Sequence, residues 1–362
     1  MGNLATIKAM AERLLAQDPA PAVRMRLLRD VLGQPVDDAT RNALDASRWV
    51  KLLAAEQRAD GSWGRFHSQD AAAKQRVITT EFGVERALAL GLDADHPVLE
   101  RAAVYLELLL AGDVPFPDPA ERNDRWLTGV QLFVASTLAL VRPDHPVLEP
   151  VRALWLEIAR RTFAGGTYDA AAEIAAHEEL TGASVKDSYL TLRGKYQLAL
   201  LSSQPDALDP ATQRALLIWL WSLPDGVGYQ SVPLAVPPPA KAGPFDRWFS
   251  SLELLSRFPA WREFAGTAVE WLWAQRRADG DWDCGARAPG SVVLPLAEDW
   301  RGSGRRARDW TARVLCLLDR YYEPPESRQR VLRGRCGASS GRGVASSLQK
   351  RATQRNVDTG GV

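Results

Sequence analysis

Sulfur is scarce in this 362-residue chain, which has three cysteines and three methionines. Cys284, Cys316 and Cys336 are odd in number and show no metal-ligand spacing, so neither a disulfide framework nor a metal site is expected. A reducing, cytoplasmic setting fits them best. Histidine is rare too, at four. An excess of one charge is also missing: 45 Lys and Arg stand against 44 Asp and Glu. That balance gives no overall pull toward nucleic acid. No run has the ~20 apolar residues of a spanning helix, and Lys8, Glu12 and Arg13 interrupt the opening stretch, so neither a signal peptide nor a membrane-spanning segment is expected. Alternating strand patterns are essentially absent.

Tryptophan is abundant instead, at thirteen, and it recurs at fixed places. The string Asp95-His96-Pro97-Val98-Leu99-Glu100 returns as Asp144-His145-Pro146-Val147-Leu148-Glu149, 49 residues later. Asp caps helices well and Pro suits a first turn, so both copies read as helix starts. Glycine followed by an aromatic residue recurs at Gly61–Trp63, Gly165–Tyr168, Gly226–Tyr229 and Gly280–Trp282, with a degenerate copy at Gly112–Phe116. A period near fifty marks a repeated supersecondary unit.

Between these marks the chain reads as helix pairs. One member has a wet face, as at 145–163. The other is apolar nearly all round, as at 126–141, which contains no charge. Outer helices are expected near 41–57, 97–111, 145–163, 208–222 and 261–276. Inner helices are expected near 78–91, 126–141, 185–203, 246–257 and 308–322, with 22–33 as a sixth. The expected fold is all-α: a single α/α toroid of five to six hairpins over residues 1–326, with N-terminal helices in 1–35 closing the ring. Residues 327–362 carry eight basic residues against one acid and few apolar ones, and read as a disordered basic tail.

Two of the loops extend into longer matches. Leu53-Ala54-Ala55-Glu56-Gln57-Arg58-Ala59-Asp60-Gly61-Ser62-Trp63 and Trp271-Leu272-Trp273-Ala274-Gln275-Arg276-Arg277-Ala278-Asp279-Gly280-Asp281-Trp282 resemble the QW repeats of squalene-hopene and oxidosqualene cyclases. The chain is thus similar to the terpenoid cyclase and protein prenyltransferase superfamily over roughly 20–322. The resemblance implies that Gln57 with Trp63, and Gln275 with Trp282, tie one outer helix to the next. Its catalytic motifs are missing here. There is no Asp-x-Asp-Asp motif and no Asp-rich run for magnesium. The position of the prenyltransferase zinc histidine holds Ala312, so no metal and no cofactor are expected.

The starts of the inner helices share an acid and an aromatic residue. They read Glu81-Phe82, Asp124-Arg125-Trp126, Asp187-Ser188-Tyr189, Asp246-Arg247-Trp248 and Arg308-Asp309-Trp310. In a toroid these starts gather at one end of the lumen. Phe82, Trp126, Tyr189, Trp248 and Trp310 would line an apolar pocket, and Arg125, Arg247 and Arg308 would favour an anionic head group. Asp309, Glu81, Asp187 and Asp246 are the candidate proton donors. Helix capping is the simpler account of Asp124 and Asp246, and core packing explains the aromatics equally well. His96, His145, His67 and His177 read as surface residues. The expected function is a terpenoid cyclase-like protein, isomerase-like if it is an enzyme, that binds or cyclises an isoprenoid with or without an anionic head. A non-catalytic scaffold and a polysaccharide-processing toroid remain as alternatives.

Overall fold

The structure, a computed structural model, describes residues 3–185, 188–241, 243–287 and 291–323. The predicted tail and Asp187 lie outside them. Fourteen α-helices run through the described residues, and no strand is present among them. The first five are α1 (Leu4–Leu15), α2 (Pro21–Arg26), α3 (Asp38–Asp45), α4 (Arg48–Glu56) and α5 (Thr80–Leu90). Then come α6 (Pro97–Ala111), α7 (Trp126–Val141), α8 (Glu149–Thr162), α9 (Ala170–Thr181) and α10 (Lys195–Ser203). The last four are α11 (Pro210–Ser222), α12 (Pro244–Leu255), α13 (Gly266–Ala274) and α14 (Ser303–Tyr322). The chain is therefore all-α.

Local chemistry sets the boundaries. Asp37, Asp169 and Asp209 accept from backbone N–H groups at the starts of α3, α9 and α11. In the repeated Asp-His-Pro string, the histidine is the cap rather than the aspartate. His96 Nδ1 accepts from Val98 N at 3.2 Å, and His145 Nδ1 from Val147 N at 3.3 Å. The other ring nitrogen faces a carboxylate in each copy, Asp45 at 3.2 Å and Glu107 at 3.3 Å.

Several expected elements differ in detail: 261–276 is a 3-10 turn, Pro259–Glu263, followed by α13, and the last inner helix starts at Ser303 rather than 308. The segment 41–57 breaks into α3 and α4 because Ser47 starts a new helix. Residues 22–33 form α2 followed by a π turn, Leu27–Val31. The helix expected from 185 begins only at Lys195, with Gly194 in the extended cap position. The charge-free α7 packs on α5, α6, α8 and α10 and buries ten of its residues. α2 touches α5 and α14, α10 touches α12, and α1 lies along α14. Rings of α12 and α14 meet directly: Phe245 and Phe249 stand 5.2 and 5.7 Å from Trp310.

The two Asp-Gly loops adopt one geometry. Trp63 and Trp282 are fully buried, and their indoles donate to Leu53 O at 2.9 Å and Leu272 O at 2.6 Å. Their backbone N–H groups donate to Thr80 Oγ1 and Thr311 Oγ1, both at 3.0 Å. Asp60 and Asp279 each accept from the N–H two residues on, at 2.9 and 3.0 Å. Gly61 and Gly280 have φ of +92° and +87°. A β-carbon on Gly61 would also come within 2.2 Å of the Arg101 carbonyl oxygen on α6. Gln57 spans the gap: its amide donates to Gly61 O and to Val98 O, both at 2.9 Å, joining the end of α4 to the start of α6. Gln275 is half-buried and its backbone caps α13, while Arg13 of α1 takes the outward contact. Its guanidinium donates to Asp279 O at 2.7 Å and Gly280 O at 3.3 Å, and pairs with Asp281.

Candidate acid–base site

The loop after Trp63 brings His67 to the first turn of α5. Asp118 pins that loop by accepting from three successive N–H groups: Phe66 at 2.6 Å, His67 at 3.0 Å and Ser68 at 2.6 Å. His67 Nδ1 then lies 2.7 Å from Glu81 Oε2. From the start of α10, Lys195 Nζ and the Tyr196 hydroxyl both donate to Glu81 Oε1 at 2.8 Å. The Tyr196 hydroxyl is also 3.0 Å from His67 Nδ1. Lys195 reaches on to Glu85 at 3.4 Å, one turn along α5.

Burial alone would raise the Glu81 carboxyl, but Lys195 and His67 overrule it and hold it at about 2. Glu81 is therefore an anion at neutral pH and not a proton donor. Its hydrogen bond pushes the His67 imidazole above its usual value against partial burial. Burial and Glu81 drive the Tyr196 phenol far up, so that it stays neutral. The site holds an anion between a cation, an imidazole that accepts a proton readily and a phenol. That arrangement can exchange a proton through His67, whose side chain keeps 39% of its surface.

Aromatic rings extend from this cluster. His67 stacks on Phe133 with centroids 5.1 Å apart, and Phe133 lies 4.5 Å from Tyr196 and 5.6 Å from Tyr189. Tyr229, half-exposed, meets Tyr196 edge-on at 5.8 Å. Trp126 meets Phe116 at 5.6 Å, and Phe116 meets Phe66 at 5.3 Å. Tyr189 covers α7 at Gly129, where an added β-carbon would come within 2.6 Å of its hydroxyl.

Phe82, Trp126 and Tyr189 are half-buried. Trp248 and Trp310 belong to a second group with Phe245, Phe249, Trp271 and Trp300, and both are fully buried. Their indoles donate to Leu234 O and Gly285 O at 3.1 Å, as packed core residues do.

The acids also differ from one another. Asp309 is fully buried and meets only donors: Leu296 N, Ala297 N at 3.3 Å, Trp300 Nε1 at 2.6 Å and Arg313 Nε at 3.1 Å. It anchors the segment 294–300 to α14. Asp246 sits within the first turn of α12, with the Gly243 backbone N–H and Ser291 near its carboxyl. It is fully buried, and burial pushes its carboxyl up against the opposing pull of Ser291 and Arg313. Asp124 accepts from Ser184 N at 3.2 Å and lies 3.8 Å from Arg125. Arg247 keeps its buried Nε without a partner. Arg308 donates to Gln17 O at 3.4 Å and lines a cleft of about 300 Å³ with Asp18, Ala297 and Glu298.

Two histidine expectations change. His67 is part of the cluster. His177 lies inside α9, fully buried against Trp155 at 5.2 Å, and burial lowers it to about 4. Lys195, Tyr196 and Asp118 were not singled out from the sequence. Shifting the start of α10 from 185 to Lys195 puts a base and an aromatic residue, Lys195-Tyr196, where Asp187 and Tyr189 were expected. Gly194 ahead of them was the available signal. No family model, curated protein or solved structure matches the chain.

Proposed function

We propose that the chain is a terpenoid cyclase-like α/α ring that binds, and acts on, an isoprenoid-type molecule. Closure is supported by the order of neighbours, since α2, α5, α7, α10, α12 and α14 touch in that sequence and α14 returns to α2. Arg13 adds the same closure among the outer helices, because α1 meets the loop after α13 as α6 meets the loop after α4. The observation that carries the functional reading is the aromatic path from Trp126, Tyr189 and Phe133 to the Glu81 cluster. Ring faces suit an apolar chain and any developing cation. The cluster would take the polar end, with His67 exchanging the proton and Glu81 holding it in place. Asp246 supplies a second, buried carboxyl of raised pKa.

The test is ligand binding followed by indole fluorescence, with farnesyl diphosphate, geranylgeranyl diphosphate and squalene as probes. Quenching that Trp126→Ala or Tyr189→Ala weakens is expected, and turnover that Glu81→Gln removes while binding persists. No binding of any probe at high micromolar concentration would overturn the reading.

One observation favours a second reading. The cluster is charged and partly wet, with Tyr229 half-exposed beside it. Acid–base cleavage of a sugar chain held on tyrosine rings would use the same groups. Oligosaccharides that shift the melting temperature where isoprenoids do not would select it.

A further inference from the structure

Arg86 lies in the middle of α5 and keeps only 2% of its surface. None of its three guanidinium nitrogens has a hydrogen-bond partner. Leaving such a group dry and unpaired is costly, because a guanidinium carries five donors and cannot easily shed its charge. Its guanidinium carbon lies 4.4 Å from the centre of the Trp49 ring on α4. Surrounding charge makes the problem worse. Burial is the largest influence, Arg313 and Arg287 add like charge, and only Asp309 opposes them, so that Arg86 falls to about 9. Asp309 does not hydrogen-bond to it: its oxygens take Leu296 N, Ala297 N, Trp300 Nε1 and Arg313 Nε instead.

We propose that Arg86, whose guanidinium lies over the face of Trp49, is the receptor for an anionic oxygen group, a phosphate or a carboxylate, beside α14. The ligand would accept the forked N–H groups and neutralise the excess of arginine around them. Trp49 is half-buried, and its indole donates to Ala297 O at 3.2 Å. Ala297 also lines the cleft of about 300 Å³ that Arg308 enters, so open volume adjoins the hydrogen-bonding partner of Trp49. Asp309 holds the backbone of 296–297 across this region. The site uses different residues from the Glu81 cluster and does not depend on the isoprenoid reading.

The experiment titrates the full chain with inorganic phosphate, and separately with acetate, against sodium chloride at matched ionic strength. Melting temperature and tryptophan fluorescence are both read. A saturable rise in melting temperature beyond the chloride control is expected with one anion or both. Phosphate alone would assign the ligand as a phosphate, and a response to both would assign any oxyanion. Arg86→Met should weaken the apparent affinity at least about tenfold. It should also melt no lower than the native chain without anion, because an orphan charge has become an apolar side chain. A purely structural arginine would give the opposite sign. Arg86→Lys, which keeps the charge and loses the fork, should weaken anion binding too. No saturable response in the native chain, or an equal response in Arg86→Met and Arg86→Lys, overturns the proposal.

Discussion

Arg13 holds the carbonyl of Asp279 at 2.7 Å, joining α1 to the loop that follows α13 across 266 positions of sequence. The same guanidinium reaches Gly280 O and Asp281. Arg13→Ala should therefore lower stability by about 1–2 kcal/mol, with the lower part of that range reflecting solvent around a side chain that is 39% exposed. Hydrogen exchange should rise first in α1 and in 277–282. Faster exchange in α6 instead would mean that the loop is held by something else.

The two buried indoles should behave as a matched pair. Trp63→Ala and Trp282→Ala should each cost about 3–5 kcal/mol, since each removes a large core side chain together with its hydrogen bond to a helix-end carbonyl. Their threonine partners give a finer check. Thr80→Val and Thr311→Val each orphan a buried N–H, and about 1–3 kcal/mol should follow from each. Denaturant midpoints measure all four, and a loss under about 1 kcal/mol at either tryptophan would contradict its burial.

His177 should make the protein sensitive to mild acid. Folded, it titrates at about 4, and unfolded near 6.5, so the unfolded chain binds more protons between these values. The stability tied to its neutral form is complete above about pH 6.5 and is lost as pH falls toward 4. Its size is about 3 kcal/mol for a shift of this order. His177→Phe keeps a ring against Trp155 and should flatten that part of the pH–stability curve. An unchanged curve would show that another group titrates there.

Glu81 should control the His67 imidazole. Glu81→Gln removes the hydrogen-bonded charge that raises it, so the His67 titration, followed by NMR, should move down. The native contribution runs the other way from that of His177. It is present below the unfolded histidine value and lost as pH rises through the higher folded one. No movement of His67 in the variant would separate it from Glu81.

The helical fold was legible because its signals are local. The charge-free 126–141 became α7, Pro97 and Gly112 bracket α6, and the two Asp-Gly-x-Trp loops took one shape. The acid–base cluster was legible only in part. Glu81 stood out, but Lys195 lies 114 residues away and Tyr196 115, and no local pattern encodes such a meeting. His67 looked like a loop residue because its loop is ordered from a distance, by Asp118. Arg86 was invisible for another reason. An arginine inside an amphipathic helix normally reaches water, and only the packing of Trp49 and α14 around it reveals that this one does not.

Asp118 has a kinetic consequence. Three consecutive N–H groups bound to one carboxylate leave the 66–68 backbone little freedom before any ligand arrives. The entropy of arranging His67 is thus lost during folding and not during encounter. A ligand meeting such a rigid wall should associate in a single, diffusion-like phase, without a slow step in which the loop gathers around it.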